Sequence, residues 1–185
     1  MKHILVFLIL MACTMFLTIG SLAEGKAPNK YVGMKMCSIC HKSDKIGNQY
    51  GIWQKSKHAE AYKTLTTEKA KVIAKEKGLK QPAEESPECL ECHTIVADAK
   101  LTDKGFDAKD GVQCEVCHGP GSAYKSMATM KDKAKAIVAG LTEYKDGAAR
   151  EMQCLKCHND KSPTKKEFNF KEMWPKIKHM VPKTQ

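Results

Sequence analysis

The pentapeptide Cys114-Glu115-Val116-Cys117-His118 is one of four Cys-x-x-Cys-His copies in this chain, and these copies determine the fold. Two cysteines three positions apart lie on one side of a helical turn, so both thiols can bond to one porphyrin. The histidine that follows can bind the iron from the proximal side. The pattern predicts four covalent c-type haems, held by Cys37 and Cys40, Cys89 and Cys92, Cys114 and Cys117, and Cys154 and Cys157, with His41, His93, His118 and His158 on the iron.

Other sites also use a Cys-x-x-Cys pair, namely zinc knuckles, thioredoxin-like redox pairs and disulfides. None of them requires a histidine directly after the second cysteine, and zinc is the main alternative that remains. The motifs use eight of the nine cysteines, and the ninth, Cys13, lies in the apolar N-terminal segment. The cysteine content therefore does not predict a disulfide framework.

Residues 1–23 have the pattern of a secretory signal peptide. Lys2 supplies the positive end, residues 4–19 are apolar, and Ser21-Leu22-Ala23 offers a cleavage site before Glu24. Two alternatives stay open: an uncleaved membrane anchor, and a lipoprotein whose mature N-terminus is Cys13. All three export the protein to the periplasm or the outside of the cell. Cleavage would leave residues 24–185 as one tetrahaem domain with no stable membrane span.

The mature chain would have about 40 residues per haem, so the porphyrins would supply much of the apolar core. We expect a mostly α, single compact helical domain wrapped around four haems, with little or no sheet. Apolar periodicity predicts helices over residues 56–77, 126–139 and 167–180, the first with Ser56 as its N-cap. Gly78 and Gly140 are expected to end the first two helices.

The formal net charge of +10 is not evidence for nucleic-acid binding. Four haems would bring about eight propionates, which offset most of it, and the basic residues are scattered along the chain. Lysines around exposed haem edges are expected to steer an acidic redox partner or another multihaem cytochrome.

Counting histidines limits the sixth iron ligands. Of seven histidines, four are proximal and His3 belongs to the signal segment, which leaves His58 and His179. Two haems at most can therefore be bis-histidine within one chain. The other two need methionine, another group, water or nothing. Methionines occur outside the signal segment at Met34, Met36, Met127, Met130, Met152, Met173 and Met180.

The sequence resembles the tetrahaem cytochrome c-554 family, whose type member accepts electrons from hydroxylamine oxidoreductase in ammonia oxidisers. The resemblance covers residues 33–180. It is carried by the order of the four motifs and by three segments: residues 53–61, residues 111–121, and Phe170-Lys171-Glu172-Met173. Residues 111–121 are the most specific of these.

The resemblance implies a mostly helical fold, stacked haem pairs and a crossed ligation scheme. In this scheme His58 lies opposite His118, His179 lies opposite His158, and the haem on His93 is five-coordinate. The first haem would take a histidine from the segment after Gly121, but residues 122–130 contain none. We therefore expect Met130 as its sixth ligand, with Met127, a vacant site or a site covered by Tyr124 as alternatives.

Electron transfer between redox partners is the leading functional prediction. One alternative is an enzyme that reduces nitric oxide, nitrite or peroxide at the open haem on His93. Another is a subunit of a conducting cytochrome filament, which usually needs a histidine that reaches into the neighbouring subunit.

Overall fold

The computed structural model describes residues 27–180. Within them the chain forms ten short α-helices joined by turns, and the β pairing is limited to an isolated bridge between Tyr31 and Thr102. The prediction of a mostly α fold is confirmed. The helices are α1 (Met34–His41), α2 (Gln49–Gln54), α3 (Ala61–Leu65), α4 (Glu68–Glu76), α5 (Pro87–His93), α6 (Cys114–His118), α7 (Met127–Met130), α8 (Lys133–Val138), α9 (Gly147–Leu155) and α10 (Phe170–Ile177).

The first predicted long helix is divided into a turn and two helices. Residues 56–60 form the turn, and Ser56 does not cap a helix, because its hydroxyl donates to the Trp53 carbonyl at 2.7 Å. Thr67 separates α3 from α4. It is the N-cap of α4, and its side chain accepts a hydrogen bond from the Ala70 N–H. Gly78, with φ of 66°, ends this region as predicted.

The second predicted helix is also divided. Asp132 accepts from the Lys135 N–H and begins α8 two residues after α7 ends. Gly140 ends α8 with φ of 112°, as predicted. The third predicted helix, over residues 167–180, corresponds to α10. Because α10 ends at Ile177, His179 lies beyond the helix in an extended tail.

The buried apolar core is small. Leu65, Ala74 and Ala83 form its centre, and α5 packs against them through Cys89 and Leu90. This cluster places the second motif against the α3–α4 region.

Large apolar side chains also lie at the surface inside the motifs. Ile39 in the first motif and Leu155 in the fourth keep 65% and 43% of their surface exposed. Apolar surface next to a Cys-x-x-Cys-His motif suits contact with a porphyrin face.

No helix within residues 27–180 is long and apolar enough to cross a membrane. The predicted signal peptide, residues 1–23, and Cys13 lie outside the part of the chain that the structure describes.

Candidate haem sites

Each motif forms or ends a short helix. The first three motifs lie in α1, α5 and α6, and the fourth begins in the last turn of α9 and continues into the turn that follows. None of the eight motif cysteines forms a disulfide, and all but Cys40 are half-buried. Within residues 27–180, His, Cys, Asp and Glu side chains form no group of three that could hold a metal ion.

Neighbouring thiols show which motifs lie side by side. The Cys114 thiol and burial raise the pKa of Cys37, so the first motif adjoins the third. Burial, with Cys154 nearby, raises the pKa of Cys117 to about 11, which joins the third motif to the fourth. Burial, with Cys92 nearby, raises the pKa of Cys157 to about 12. The order of the motifs in space is therefore first, third, fourth, second.

Two buried side chains hold the first motif against the third. Glu115, only 2% exposed, accepts hydrogen bonds from the N–H groups of Val32, Gly33 and Gly121 at 2.7–2.9 Å. Gln113 is 1% exposed and accepts a hydrogen bond at 2.9 Å from the N–H of Met34, the first residue of α1. The carboxylate is satisfied by backbone donors alone, and such charge-assisted bonds are stronger than neutral ones.

Two pairs of histidine rings face one another. The ring centroids of His58 and His158 are 6.2 Å apart, and those of His118 and His179 are 5.7 Å apart. A metal–imidazole bond is about 2.0–2.1 Å and the nitrogen lies about 1.1 Å from the ring centre, so two axial rings on one metal have centroids about 6.3 Å apart. The 6.2 Å pair is close to this separation and the 5.7 Å pair is about 0.6 Å shorter, so each pair could hold a haem iron between its two rings.

The ring pairs differ from those of the crossed scheme that we expected. His58 lies by His158 rather than His118, and His179 lies by His118 rather than His158. The tail after α10 explains the position of His179. The Met180 carbonyl is bound by Gln49, which lies beside the first motif. Since the first motif adjoins the third, His179 reaches His118.

The His58 turn is fixed against the segment that precedes the third motif. The Val112 N–H donates to the His58 carbonyl at 2.9 Å, and the Trp53 indole N–H donates to the Val112 carbonyl at 2.7 Å. A Cβ at Gly111, where φ is 79°, would lie 2.6 Å from the His58 carbonyl oxygen, so glycine is required there. The backbone of His58 is thus held while its ring points to His158.

Burial favours the neutral form of the four paired imidazoles, which is the form that binds a metal. Burial, together with His179 and His41, lowers the pKa of His118 to about 4. Burial, and then the neighbouring His158, lowers the pKa of His58. Partial burial also lowers the pKa of His158 and of His179, although both rings keep solvent-accessible surface.

The other two proximal histidines have hydrogen-bond acceptors on Nδ1. His93 donates from Nδ1 to the Ala61 carbonyl at 2.7 Å, and His41 Nδ1 lies 3.2 Å from Gln49 Oε1. An imidazole that donates from Nδ1 keeps Nε2 free for a metal, and such partners orient metal-ligating histidines. Sequence reasoning missed Gln49, because a glutamine eight residues after a motif carries no distinguishing pattern.

The candidates for the first haem differ in exposure and in hydrogen bonding. Met130, at the end of α7, is half-buried, whereas Met127 is 63% exposed. The Tyr124 hydroxyl donates to the Gly119 carbonyl at 2.5 Å, with the His118 carbonyl at 3.2 Å. The Tyr124 hydroxyl is therefore directed at the backbone of the third motif.

Cys-x-x-Cys-His motifs are the haem-attachment signature of c-type cytochromes, and here two pairs of histidine rings lie close enough to hold an iron. The family model of "Cytochrome c554 and c-prime" matches residues 36–119, which include the first three motifs. The chain is 30% identical over 165 residues to "Cytochrome c-554" of Nitrosomonas europaea; the match covers 80% of this chain and 66% of that protein, slightly less than two thirds of its length. No solved structure gives a significant match.

The chain belongs to the cytochrome c554 family. Members of this family are c-type cytochromes with covalently bound haem c, and the function of the class is electron transport.

Proposed function

We propose that this chain is a tetrahaem electron carrier with one haem on each Cys-x-x-Cys-His motif. The single observation that carries the proposal is the contact order of the motifs. Gln113 and Met34 join the third to the first, Gln153 and Val116 join the fourth to the third, and Lys161 and Glu91 join the fourth to the second. When bound, haem c supplies one-electron chemistry. The protein then has three tasks: it fixes the spacing of the motifs, orients the ligands and keeps the imidazoles neutral.

The proposed ligation follows the two ring pairs. His118 and His179 would bind the third iron, and His158 and His58 the fourth. His41 would bind the first iron with Met130 opposite. His93 would bind the second iron without a second protein ligand, since His58 and His179 are both used elsewhere.

The proposed location is the periplasm or the outside of the cell, because residues 1–23 have the pattern of an export signal. The proposed partners are redox proteins with acidic docking surfaces, or other multihaem cytochromes. Exposed lysines that could face them include Lys57, 94% exposed, and Lys100, 80% exposed. Nucleic acid is not among the proposed partners.

A reductive titration of the purified holoprotein tests the carrier function. We expect reversible uptake of one electron per motif, four per chain, and full recovery on reoxidation. Added nitrite, nitric oxide or peroxide should not reoxidise the protein catalytically. Fewer than four electrons would contradict the tetrahaem proposal, and multiple turnovers with one of these ligands would support the enzyme alternative.

The Met130→Leu variant tests the ligand of the first haem. Methionine favours ferrous iron more than histidine does, so a His/Met haem has a higher potential than a bis-histidine haem. Leucine keeps the volume and removes the sulfur. We expect loss of the near-infrared band of His/Met ligation and a new high-spin signal at one haem.

The matched control for this experiment is Met127→Leu, which should leave both signals unchanged. If Met127→Leu alone changes them, the ligand is Met127. If neither variant changes the spectrum, the first haem is not bound by methionine.

A further inference from the structure

Gln49 connects two parts of the chain that are far apart in sequence. It begins α2, is 8% exposed, and is not part of any Cys-x-x-Cys-His motif. Its Nε2 donates to the Ile46 carbonyl at 2.5 Å and to the Met180 carbonyl at 2.9 Å. Its Oε1 lies 3.2 Å from His41 Nδ1. A local turn would need only the first of these bonds.

The hydrogen bonds determine the orientation of the amide. Both carbonyl oxygens can only accept, so the group that faces them must be the NH₂ of Gln49. Its oxygen then faces His41, and an oxygen can only accept from Nδ1–H. The His41 tautomer follows: Nδ1 carries the proton and Nε2 is free for the iron.

The same amide fixes the tail that carries His179. Met180 directly follows His179, and its carbonyl is bound to Gln49 across 131 positions of sequence. A Cβ at Gly47 would lie 3.0 Å from Gln49 Nε2 and 3.1 Å from the Met180 Cβ, so the tail is packed closely at this point. Because α10 ends at Ile177, this contact replaces the helix as the support for His179.

We infer that Gln49 is a positioning residue that acts on two haems at once: its oxygen orients the proximal His41 of the first haem, and its NH₂ holds the distal His179 of the third. This inference rests on the ligation proposed above. It makes the iron ligation of the two neighbouring haems depend on one uncharged side chain.

Two substitutions of Gln49 separate the two actions. Gln49→Leu removes both the acceptor and the donor, so we expect a higher midpoint potential at the first haem and a high-spin fraction at the third. An acceptor on Nδ1 makes the imidazole a stronger donor to ferric iron, and its loss favours the ferrous state. Gln49→Glu keeps an oxygen for His41 but loses the donor to Met180. The first potential should then not rise, while the high-spin fraction at the third haem still appears.

A third readout does not depend on haem. Loss of the Met180 contact should free the tail, so trypsin should cleave after Lys178 several-fold faster in both Gln49 variants, since cleavage reports local opening. The matched control is Gln54→Leu, which changes an exposed glutamine at the end of the same helix, α2. Potentials, spin states and cleavage should be unchanged in this control.

Several outcomes would overturn the inference. They are unchanged potentials and spin states in both Gln49 variants, a change at one haem only in Gln49→Leu, or the same changes in Gln54→Leu. The haem count and spin states of the unaltered protein test the proposed function separately. A failure there is therefore distinguishable from a failure of the Gln49 variants.

Discussion

Replacing His179 with glycine is expected to convert the haem on His118 from low spin to high spin and to leave the haem on His158 low spin. The reason is the 5.7 Å centroid separation of His118 and His179, which makes His179 the proposed second ligand of that iron. Loss of a strong donor to ferric iron also raises the potential of that haem. Paramagnetic resonance gives the spin count, and proton NMR contacts to the thioethers of Cys117 or Cys157 identify the affected haem.

The companion variant His58→Gly should do the reverse. It should convert the haem on His158 and spare the haem on His118, because His58 and His158 are 6.2 Å apart. The planes of the two ring pairs cross at 56° and 39°, so the two low-spin signals should be distinct and each variant should remove a different one. If His179→Gly instead affects the haem on His158, the crossed scheme implied by the family resemblance is correct and the pairing described here is wrong.

Replacing Glu115 with alanine is expected to cause the largest loss of stability of any single substitution discussed here. Three buried N–H groups, those of Val32, Gly33 and Gly121, would lose their acceptor. Each unsatisfied buried donor costs about 1–3 kcal/mol, so the free energy of unfolding should fall by about 3 kcal/mol or more. Chemical denaturation of the holoprotein measures this loss.

The Glu115→Ala change should also weaken the contact between the first and third motifs, because the carboxylate lies between them. Magnetic coupling between those two haems should therefore decrease. Glu85→Ala is the matched control: Glu85 is exposed in the turn before α5, and its removal should change stability by no more than about 0.5 kcal/mol. A loss below about 1 kcal/mol for Glu115→Ala would show that the three N–H groups find water or other acceptors.

The motifs and the helical class could be predicted from sequence because both depend on local spacing. The helix breaks were also visible in principle. Thr67 and Asp132 are good N-cap residues inside the predicted helices, and each begins a new helix there although the apolar periodicity continues past it. Glu115 occupies one of the two positions of its motif that can be any residue. Nothing in the local sequence indicates that it accepts from three N–H groups of other segments.

The histidine pairing could not be predicted from sequence. Counting identifies His58 and His179 as the available ligands but carries no information on which iron each one reaches. That choice depends on a contact between Gln49 and Met180, 131 positions apart, and on the docking of the first motif against the third. The family resemblance implies the same ligand set but pairs His58 and His179 with other rings than the structure does.

Mass spectrometry of the exported, denatured holoprotein tests the central claim most directly, because thioether-bound haem stays on the chain when the fold is lost. The proposal predicts the mass of residues 24–185 plus four haems, with one haem on each peptide that contains Cys37, Cys89, Cys114 or Cys154. A fully matured protein with three or fewer haems, or with zinc in their place, would contradict it.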